Sequence, residues 1–447
     1  MINFFRGIIS PYFRQEGNDD SIFKNIVATS LKIFLLQCIS LALGFLLNYV
    51  LVKTVDLDDY GSYIYIFNFF YLLLNFCILG VDTLLVREAP ILEFTKRYDK
   101  LKGLFIFSMA VSLFGSFITA LIVSKAIGSF GIESKPGINW FTLTFSTLLI
   151  FSLTAINQAY LRGLNKNILS QLGEKILKPL VLMLVVSGIF FSHRAIVLKE
   201  LIWINVAVSG FTLLLTYVFV RKSGINKLKS AVSTYNFFNW GKSAIGFFMI
   251  GVLYVLNSRI DIFLLGALSE NSNVGIYNIA SRISDVINFG LVTINFVLAP
   301  VITKLIGTGE ISELQKLITR SARLVLFTAL PVVIAIICFR ESILSFFGAD
   351  FLKGSNTLVI LCLGQFINIL FGSVGLILMM SGKQKFSIYS LAISSLFNVI
   401  LNIFLIPKYG ITGAAIATSS TLVLWNVLMY FFVRKKVNLR TTAFGII

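Results

Sequence analysis

The cationic residues of this chain are distributed unevenly over its loops, and this pattern constrains the fold more than any other feature. About twelve long apolar segments are joined by short polar loops, and loops rich in Lys and Arg alternate with loops that are poor in them. Cationic loops resist translocation, so the rich side is predicted to be cytoplasmic. An even number of spans then places both termini in the cytoplasm.

Composition supports membrane insertion and excludes a soluble domain. Charged residues make up 13% of the 447 residues, hydrophobic residues make up 57%, and the mean hydropathy is +0.89. A soluble domain is about 25% charged. The net charge of +18 is concentrated at the membrane ends of one side, which favours anionic lipid headgroups as partners and argues against nucleic acid.

The predicted spans fall into two groups of six. They cover residues 25–52, 60–88, 104–127, 139–161, 170–191, 199–220, 237–266, 274–303, 321–339, 355–381, 385–406 and 411–433. Similar residues recur about 210 positions apart, as in Lys32 and Lys242 or the strings 217–222 and 430–435. Six spans per copy predict parallel repeats with a site between them.

The repeat predicts three regions. An N-terminal lobe covers residues 1–220, a basic cytoplasmic connector covers 221–236, and a C-terminal lobe covers 237–447. The fold predicted is therefore all-α, with about twelve transmembrane helices in two six-helix lobes.

Ionisable residues inside spans are the first candidates for a site. Arg259 and Asp261 lie near the outer end of the seventh span, and Arg282 and Asp285 lie in the eighth. At 1.5 Å per residue, Asp261 is about 8 Å deep, Arg282 about 12 Å and Asp285 about 17 Å. Such groups cost several kcal/mol in lipid and normally face protein or water. Arg282 and Asp285 share a helix face, whereas Arg259 and Asp261 point apart.

These charges allow two interpretations. Arg282 and Arg259 are candidates for bidentate binding of a pyrophosphate, and Asp285 and Asp261 are candidates for taking up a proton or sodium ion and releasing the arginine. The alternative is a set of salt bridges between helices that lock one lobe.

A second group of charges lies near the inner face. Lys32, Lys242 and Arg87 are candidates for attracting an anionic headgroup, and Asp82 is a further ion-coupling candidate. The alternative for the lysines is snorkelling to the interface.

Amides also occur in the second and eighth spans, at Asn68, Asn75, Asn278, Asn288 and Asn295. They can bind sugar hydroxyls or join helices to each other, and the sequence does not decide between these roles.

The remaining polar residues predict no catalytic or metal centre. The four cysteines lie in apolar segments without paired spacing, and His193 is the single histidine. Glu174 and Lys178 are four residues apart and are predicted to form a solvated pair. No Gly-rich nucleotide loop is present, so transport would need no cofactor and would be coupled to H+ or Na+, or passive.

Several strings together carry a resemblance to a known family. They are Asp261-x-x-Leu264-Leu265-Gly266, Val274-Gly275-x-Tyr277, Gly382-Lys383, Asn398-x-x-Leu401-Asn402 and Ile406-Pro407-Lys408-Tyr409-Gly410-Ile411-x-Gly413-Ala414-Ala415-Ile416-Ala417. The chain resembles the bacterial polysaccharide (O-antigen) flippase family, within the superfamily that also holds multidrug-and-toxin exporters and the lipid II flippase. The resemblance covers essentially the whole chain.

The resemblance implies a two-lobed, V-shaped bundle around a central cavity. It further implies that an undecaprenyl-pyrophosphate-linked oligosaccharide moves from the inner to the outer leaflet of a bacterial inner membrane. Membrane lipids and polysaccharide assembly proteins would be the other partners.

Two other functions stay open at this stage. A multidrug or cation antiporter of the same superfamily would need a carboxylate-dominated cavity, and the charges here are mainly arginine and lysine. A membrane-bound glycosyl- or acyltransferase would need a clustered catalytic acid and histidine, which the sequence lacks, so we do not expect an enzyme. The sequence does not name the sugar, the coupling ion or the oligomeric state.

Overall fold

A computed structural model describes residues 19–129, 139–191, 196–225 and 232–443, and every regular element in these ranges is helical. The helices of the first half are α1 (Asp19–Thr54), α2 (Leu57–Ile78), α3 (Val81–Phe94), α4 (Tyr98–Ser129), α5 (Trp140–Gly163), α6 (Asn167–Leu172), α7 (Lys178–Phe191) and α8 (Leu198–Val220). The later helices are α9 (Phe237–Leu268), α10 (Asn271–Thr308), α11 (Ile311–Cys338), α12 (Arg340–Phe347), α13 (Ser355–Phe371), α14 (Val374–Met380) and α15 (Gln384–Lys436). His193 and residues 226–231 of the predicted connector lie outside the described residues.

Nine helices in the described ranges are long and apolar enough to cross a membrane. The difference from the predicted twelve concerns three predicted spans. α7 is only 14 residues long, the 53-residue α15 contains the last two predicted spans, and the 38-residue α10, which covers the eighth predicted span, is not among the nine. The prediction of an all-α, polytopic membrane protein is confirmed.

Several helices end or bend at residues with positive φ angles, which lie inside or between the predicted spans. Leu79 and Gly80 have φ of 50° and 78° and separate α2 from α3, so the predicted span 60–88 is two helices. Gly410 has φ of 54° and divides α15 at the loop that the sequence predicts. Gly372, with φ of 69°, separates α13 from α14. Glycine adopts these angles at little steric cost.

The described chain forms two compact units, and the first unit comprises Leu36–Arg259. Its core includes buried leucines of α3 and α4 packed with Tyr160 of α5. Close helix crossings depend on glycine here. A Cβ atom on Gly80, which immediately precedes α3, would lie 2.4 Å from the carbonyl oxygen of Ala244 in α9. A larger residue at this position would therefore push α3 away from α9.

The second unit comprises Met1–Leu35 and Ile260–Ile447. Within it, α13 packs against both α10 and α15. The residues after α15 fold back onto this unit. Gln315 donates to the carbonyl oxygen of Arg440 at 2.6 Å and accepts from its backbone N–H at 2.8 Å. Arg323 donates to the carbonyl oxygen of Ala443 at 3.0 Å. The described part of the C-terminal tail is therefore built into the unit.

The two units do not coincide with the predicted lobes. Their boundaries fall after Leu35 and after Arg259, so α1 and α9 each contribute to both units. The lobes at 1–220 and 237–447, and the cavity between them, stay predictions.

Candidate functional site

One face of α10 presents the charged residues that the sequence placed at membrane depth. Arg282 and Asp285 are both exposed, and Asp285 accepts a hydrogen bond from Nε2 of Gln365 in α13 at 3.1 Å. Counted from Asn271, Arg282 lies about 16 Å and Asp285 about 21 Å along the helix. An arginine facing lipid near mid-bilayer costs about 2.5–3.5 kcal/mol on insertion scales. We therefore expect this face to border water or protein.

Asp261 has a different environment, because it is buried. Its Oδ2 accepts from the Tyr277 hydroxyl at 2.6 Å and from Thr418 Oγ1 at 3.2 Å, and its Oδ1 accepts from the backbone N–H of Ile262 at 2.9 Å. Tyr277 is fully buried. The carboxylate thus joins α9, α10 and α15 inside the second unit.

Arg259 is held by neutral groups of the first unit. Its Nη1 donates to Asn68 Oδ1 in α2, and its guanidinium carbon lies 4.9 Å from the centroid of the Tyr71 ring. Arg259 and Asp261 therefore contact different helices, as expected from their spacing. The arginine is half-buried, so its position is compatible with either a structural or a binding role.

Arg87 is exposed on α3. It forms an ion pair with Glu88 at 2.8 Å and donates to Ser243 Oγ of α9 at 3.4 Å. Its guanidinium carbon also lies 5.1 Å from the centroid of the Phe247 ring. These contacts anchor the side chain to α9 inside the first unit, and an exposed pair of this kind adds little stability.

The other candidates near the predicted inner face are less constrained. Lys32 and Lys242 are both exposed. Asp82 is half-buried and accepts a long hydrogen bond of 3.5 Å from the neighbouring Thr83. These positions fit both headgroup attraction and snorkelling.

The predicted solvated pair of Glu174 and Lys178 is wrong. A π-helical turn, Gly173–Leu177, includes Glu174 and ends just before Lys178, so the two side chains do not have the angular spacing of an α-helix. Glu174 accepts from Gln158 Nε2 at 2.8 Å, whereas the Lys178 ammonium lies 4.5 Å from the centroid of the Phe151 ring. Both residues line a small cavity inside the first unit. The sequence gives no sign of the π turn.

A network of amides crosses the second unit from α10 to α15. Asn368 of α13 donates to Asn288 Oδ1 at 3.1 Å and accepts from Asn426 Nδ2 at 2.8 Å. Ser373 donates to Asn295 Oδ1 in the same region. These residues line a cavity of about 230 Å³ beside the break at Gly372.

Sequence reasoning singled out only the α10 members of this network. Asn368 and Asn426 were missed, as was Gln365, which contacts Asp285. The available signal was the spacing of Gln365 and Asn368, two amides on one face of an otherwise apolar helix.

Two family models match the chain. The model described as polysaccharide biosynthesis protein matches residues 26–306, and the MatE model matches residues 244–404. A protein of Haloferax volcanii described as a probable low-salt glycan biosynthesis flippase is 23% identical over 237 residues. That match covers 52% of this chain and 50% of the relative, so the chain spans about half the length of this relative.

Solved structures share the fold at low sequence identity. An inward-facing multidrug resistance MATE family transporter has a TM-score of 0.69 and 13% identity, covering 89% of this chain and 94% of that one. An inward closed conformation of the lipid II flippase has a TM-score of 0.65 and 18% identity, covering 90% of this chain and 87% of that one. These likenesses establish the architecture.

Proposed function

Since the chain belongs to the polysaccharide biosynthesis protein family, we propose that it is a flippase that moves a lipid-linked glycan between membrane leaflets. The substrate proposed is an undecaprenyl-pyrophosphate oligosaccharide, carried from the inner to the outer leaflet of a bacterial inner membrane with both termini cytoplasmic. The name of the Haloferax relative, a probable glycan biosynthesis flippase, supports a substrate that carries a glycan. A carrier of this kind performs no covalent chemistry and is not an enzyme.

The observation that carries this proposal is the exposed Arg282 on α10. A pyrophosphate headgroup must be neutralised when it leaves the aqueous interface, and a guanidinium binds it bidentately. Arg282 is placed about 16 Å along a helix that crosses the membrane in the predicted topology. Lys32 and Lys242, both exposed, would raise the local concentration of the anionic headgroup at the cytoplasmic side.

Ion coupling is part of the proposal. Asp285 is exposed one turn from Arg282, where uptake of a proton or sodium ion would weaken its attraction to the arginine. Asp261 is the second candidate, because the hydroxyl oxygens of Tyr277 and Thr418 lie beside its carboxylate and oxygen atoms are the ligands that Na+ would need. Asp82 and Arg87 are retained as weaker candidates near the inner face.

The second candidate function is a cation or drug antiporter. The match of the MatE model to residues 244–404 favours it, because those residues contain the exposed Asp285. A cationic drug would need Asp285 to act without interference from Arg282, which lies on the same face.

Reconstituted vesicles test the two functions against each other. Purified protein is placed in vesicles that contain a fluorescent undecaprenyl-pyrophosphate oligosaccharide, and outer-leaflet sugar is scored by a membrane-impermeant glycosidase. Parallel vesicles are scored for accumulation of ethidium under a proton or sodium gradient. Movement of the lipid without accumulation of the dye is expected. Accumulation of the dye without movement of the lipid would establish the antiporter instead.

A further inference from the structure

We propose that the amide-lined cavity of the second unit is a subsite for an uncharged, hydroxyl-rich sugar of the transported glycan. This inference rests on the proposed function and adds where the sugar is held and what kind of sugar it is. The side chains that carry it are Asn288 and Asn295 of α10, Asn368 of α13, and Trp425 and Asn426 of α15.

The lining of the cavity is uncharged. Every side chain that lines the cavity is neutral, with amides and the Ser373 hydroxyl set among leucines and valines. Binding sites of this type use a few placed polar groups on an apolar wall. A carboxylate or phosphate would find no cation among these side chains. The lining therefore favours a neutral hydroxyl-bearing ligand over an anionic one.

Two amides of the cavity have hydrogen-bonding capacity that the described residues do not use. An amide offers two N–H donors and two acceptor lone pairs. Asn288 and Asn295 each accept one hydrogen bond at Oδ1. Among the described residues neither Nδ2 donates a hydrogen bond to a protein acceptor, and both side chains are only half-buried. Paired donors and acceptors of this kind match vicinal sugar hydroxyls, which also donate and accept.

Two other amides of α15 are enclosed by protein and differ in this respect from the amides of the cavity. Asn398 and Asn402 are almost completely buried; Asn398 donates to Thr421 Oγ1, and Asn402 donates to the carbonyl oxygen and side chain of Asn398. Neither residue lines the cavity. The half-buried Asn288 and Asn368 border open space instead, and so keep polar surface that a purely structural pair would bury.

The cavity wall also contains an aromatic surface. Trp425 lines the cavity, and its Nε1 donates to Met429 Sδ at 2.7 Å one turn along α15. This contact fixes the orientation of the indole. An aromatic ring beside amides offers the apolar C–H face of a sugar a packing surface. The cavity volume of about 230 Å³ is many times the roughly 10–15 Å³ that one water needs, so the cavity has room for more than a single water.

The depth of the cavity fits loading from the cytoplasmic side. Asn288 lies about 26 Å along α10 from Asn271, and Asn368 lies about 20 Å along α13 from Ser355. Asn426 lies about 15 Å from the C-terminal end of α15. In the predicted topology all three distances place the cavity in the inner half of the membrane.

Binding to the purified protein in nanodiscs tests the subsite. Native mass spectrometry compares two probes, a farnesyl pyrophosphate ester of one neutral hexose and farnesyl pyrophosphate itself. The wild type is expected to bind the sugar-bearing probe more tightly. Asn368→Leu should reduce that preference roughly tenfold, whereas Asn368→Gln should retain part of it. The matched control is Thr293→Val on α10, since Thr293 does not line the cavity and its hydroxyl, within the described part of the chain, bonds only the backbone of Phe289.

The outcomes separate the subsite from the proposed function. Equal binding of both probes by the wild type, or an unchanged preference in Asn368→Leu, would overturn the subsite while leaving a pyrophosphate-binding carrier intact. Failure of the wild type to bind either probe would overturn the proposed function and the subsite with it. A loss of preference in Thr293→Val as large as in Asn368→Leu would assign the effect to general disruption of α10 and overturn the subsite.

Discussion

Replacing Tyr277 with phenylalanine removes one defined interaction from the second unit. The Tyr277 hydroxyl donates to Asp261 Oδ2 at 2.6 Å, and both side chains are buried. Hydrogen bonds between membrane helices average about 0.6 kcal/mol, with a maximum near 1.7. A hydrogen bond to a charged group contributes about 1.5–3 kcal/mol. Thr418 still donates to the same oxygen after the change, so we expect a loss of about 1.5 kcal/mol in the free energy of unfolding.

The assay is reversible unfolding in mixed detergent micelles with increasing sodium dodecyl sulfate. The matched control is Tyr409→Phe, because Tyr409 is 59% exposed and its substitution should change stability by less than about 0.5 kcal/mol. In an Asp261→Asn background the acceptor is neutral, and Tyr277→Phe should then cost only about 0.6 kcal/mol. Equal costs in the two backgrounds, or a cost no larger than that of the control, would refute an ionised Asp261 at the centre of this network.

Three further predictions concern packing, the tail and the inner face. Gly80→Ala should destabilise the first unit by at least about 1 kcal/mol, because Gly80 has a positive φ and the new Cβ would lie 2.4 Å from the carbonyl oxygen of Ala244. Thermal unfolding measures the loss, and wild-type stability would contradict the close crossing. Gln315→Ala should loosen the C-terminal tail, so limited trypsin digestion should cut after Arg440 faster than in the wild type. An unchanged rate would show that the two hydrogen bonds between Gln315 and the backbone of Arg440 do not hold the tail. Removing the charges of both Lys32 and Lys242 should lower the rate of association with anionic-lipid vesicles, and the difference between variant and wild type should shrink at high salt. A difference that does not depend on salt would contradict an electrostatic role.

The sequence was sufficient for the fold class because the relevant signals are long and strong. Apolar runs and loop charges follow from the cost of placing polar backbone and cations in lipid. The break at Gly410 was also predictable, since Pro407 and Gly410 interrupt the apolar run between two spans. The break at Leu79–Gly80 was not, because it depends on the contact of Gly80 with α9, which is distant in sequence.

The candidate site was predictable only in part. Helix spacing predicted that Arg259 and Asp261 point apart, and in the structure the two side chains contact different helices. It did not indicate that Asp261 would be buried under Tyr277 and Thr418, because Thr418 is 157 residues away in the chain. The pairing of Asn288 with Asn368 is equally non-local, at 80 residues. Periodicity locates a residue on its own helix and carries no information on which helix packs against it.

The most direct measurement for the account is the rate of glycan-lipid flipping by Arg282 variants in reconstituted vesicles. Wild type, Arg282→Lys and Arg282→Ala are compared at equal amounts of folded protein, with Arg340→Ala as a control cation on α12. We expect Arg282→Ala to lose about tenfold or more in rate, since a charged hydrogen bond contributes about 1.5–3 kcal/mol. Arg282→Lys should retain part of the rate, and the control should retain all of it. A wild-type rate in Arg282→Ala would contradict the claim that this arginine carries the anionic headgroup through the membrane.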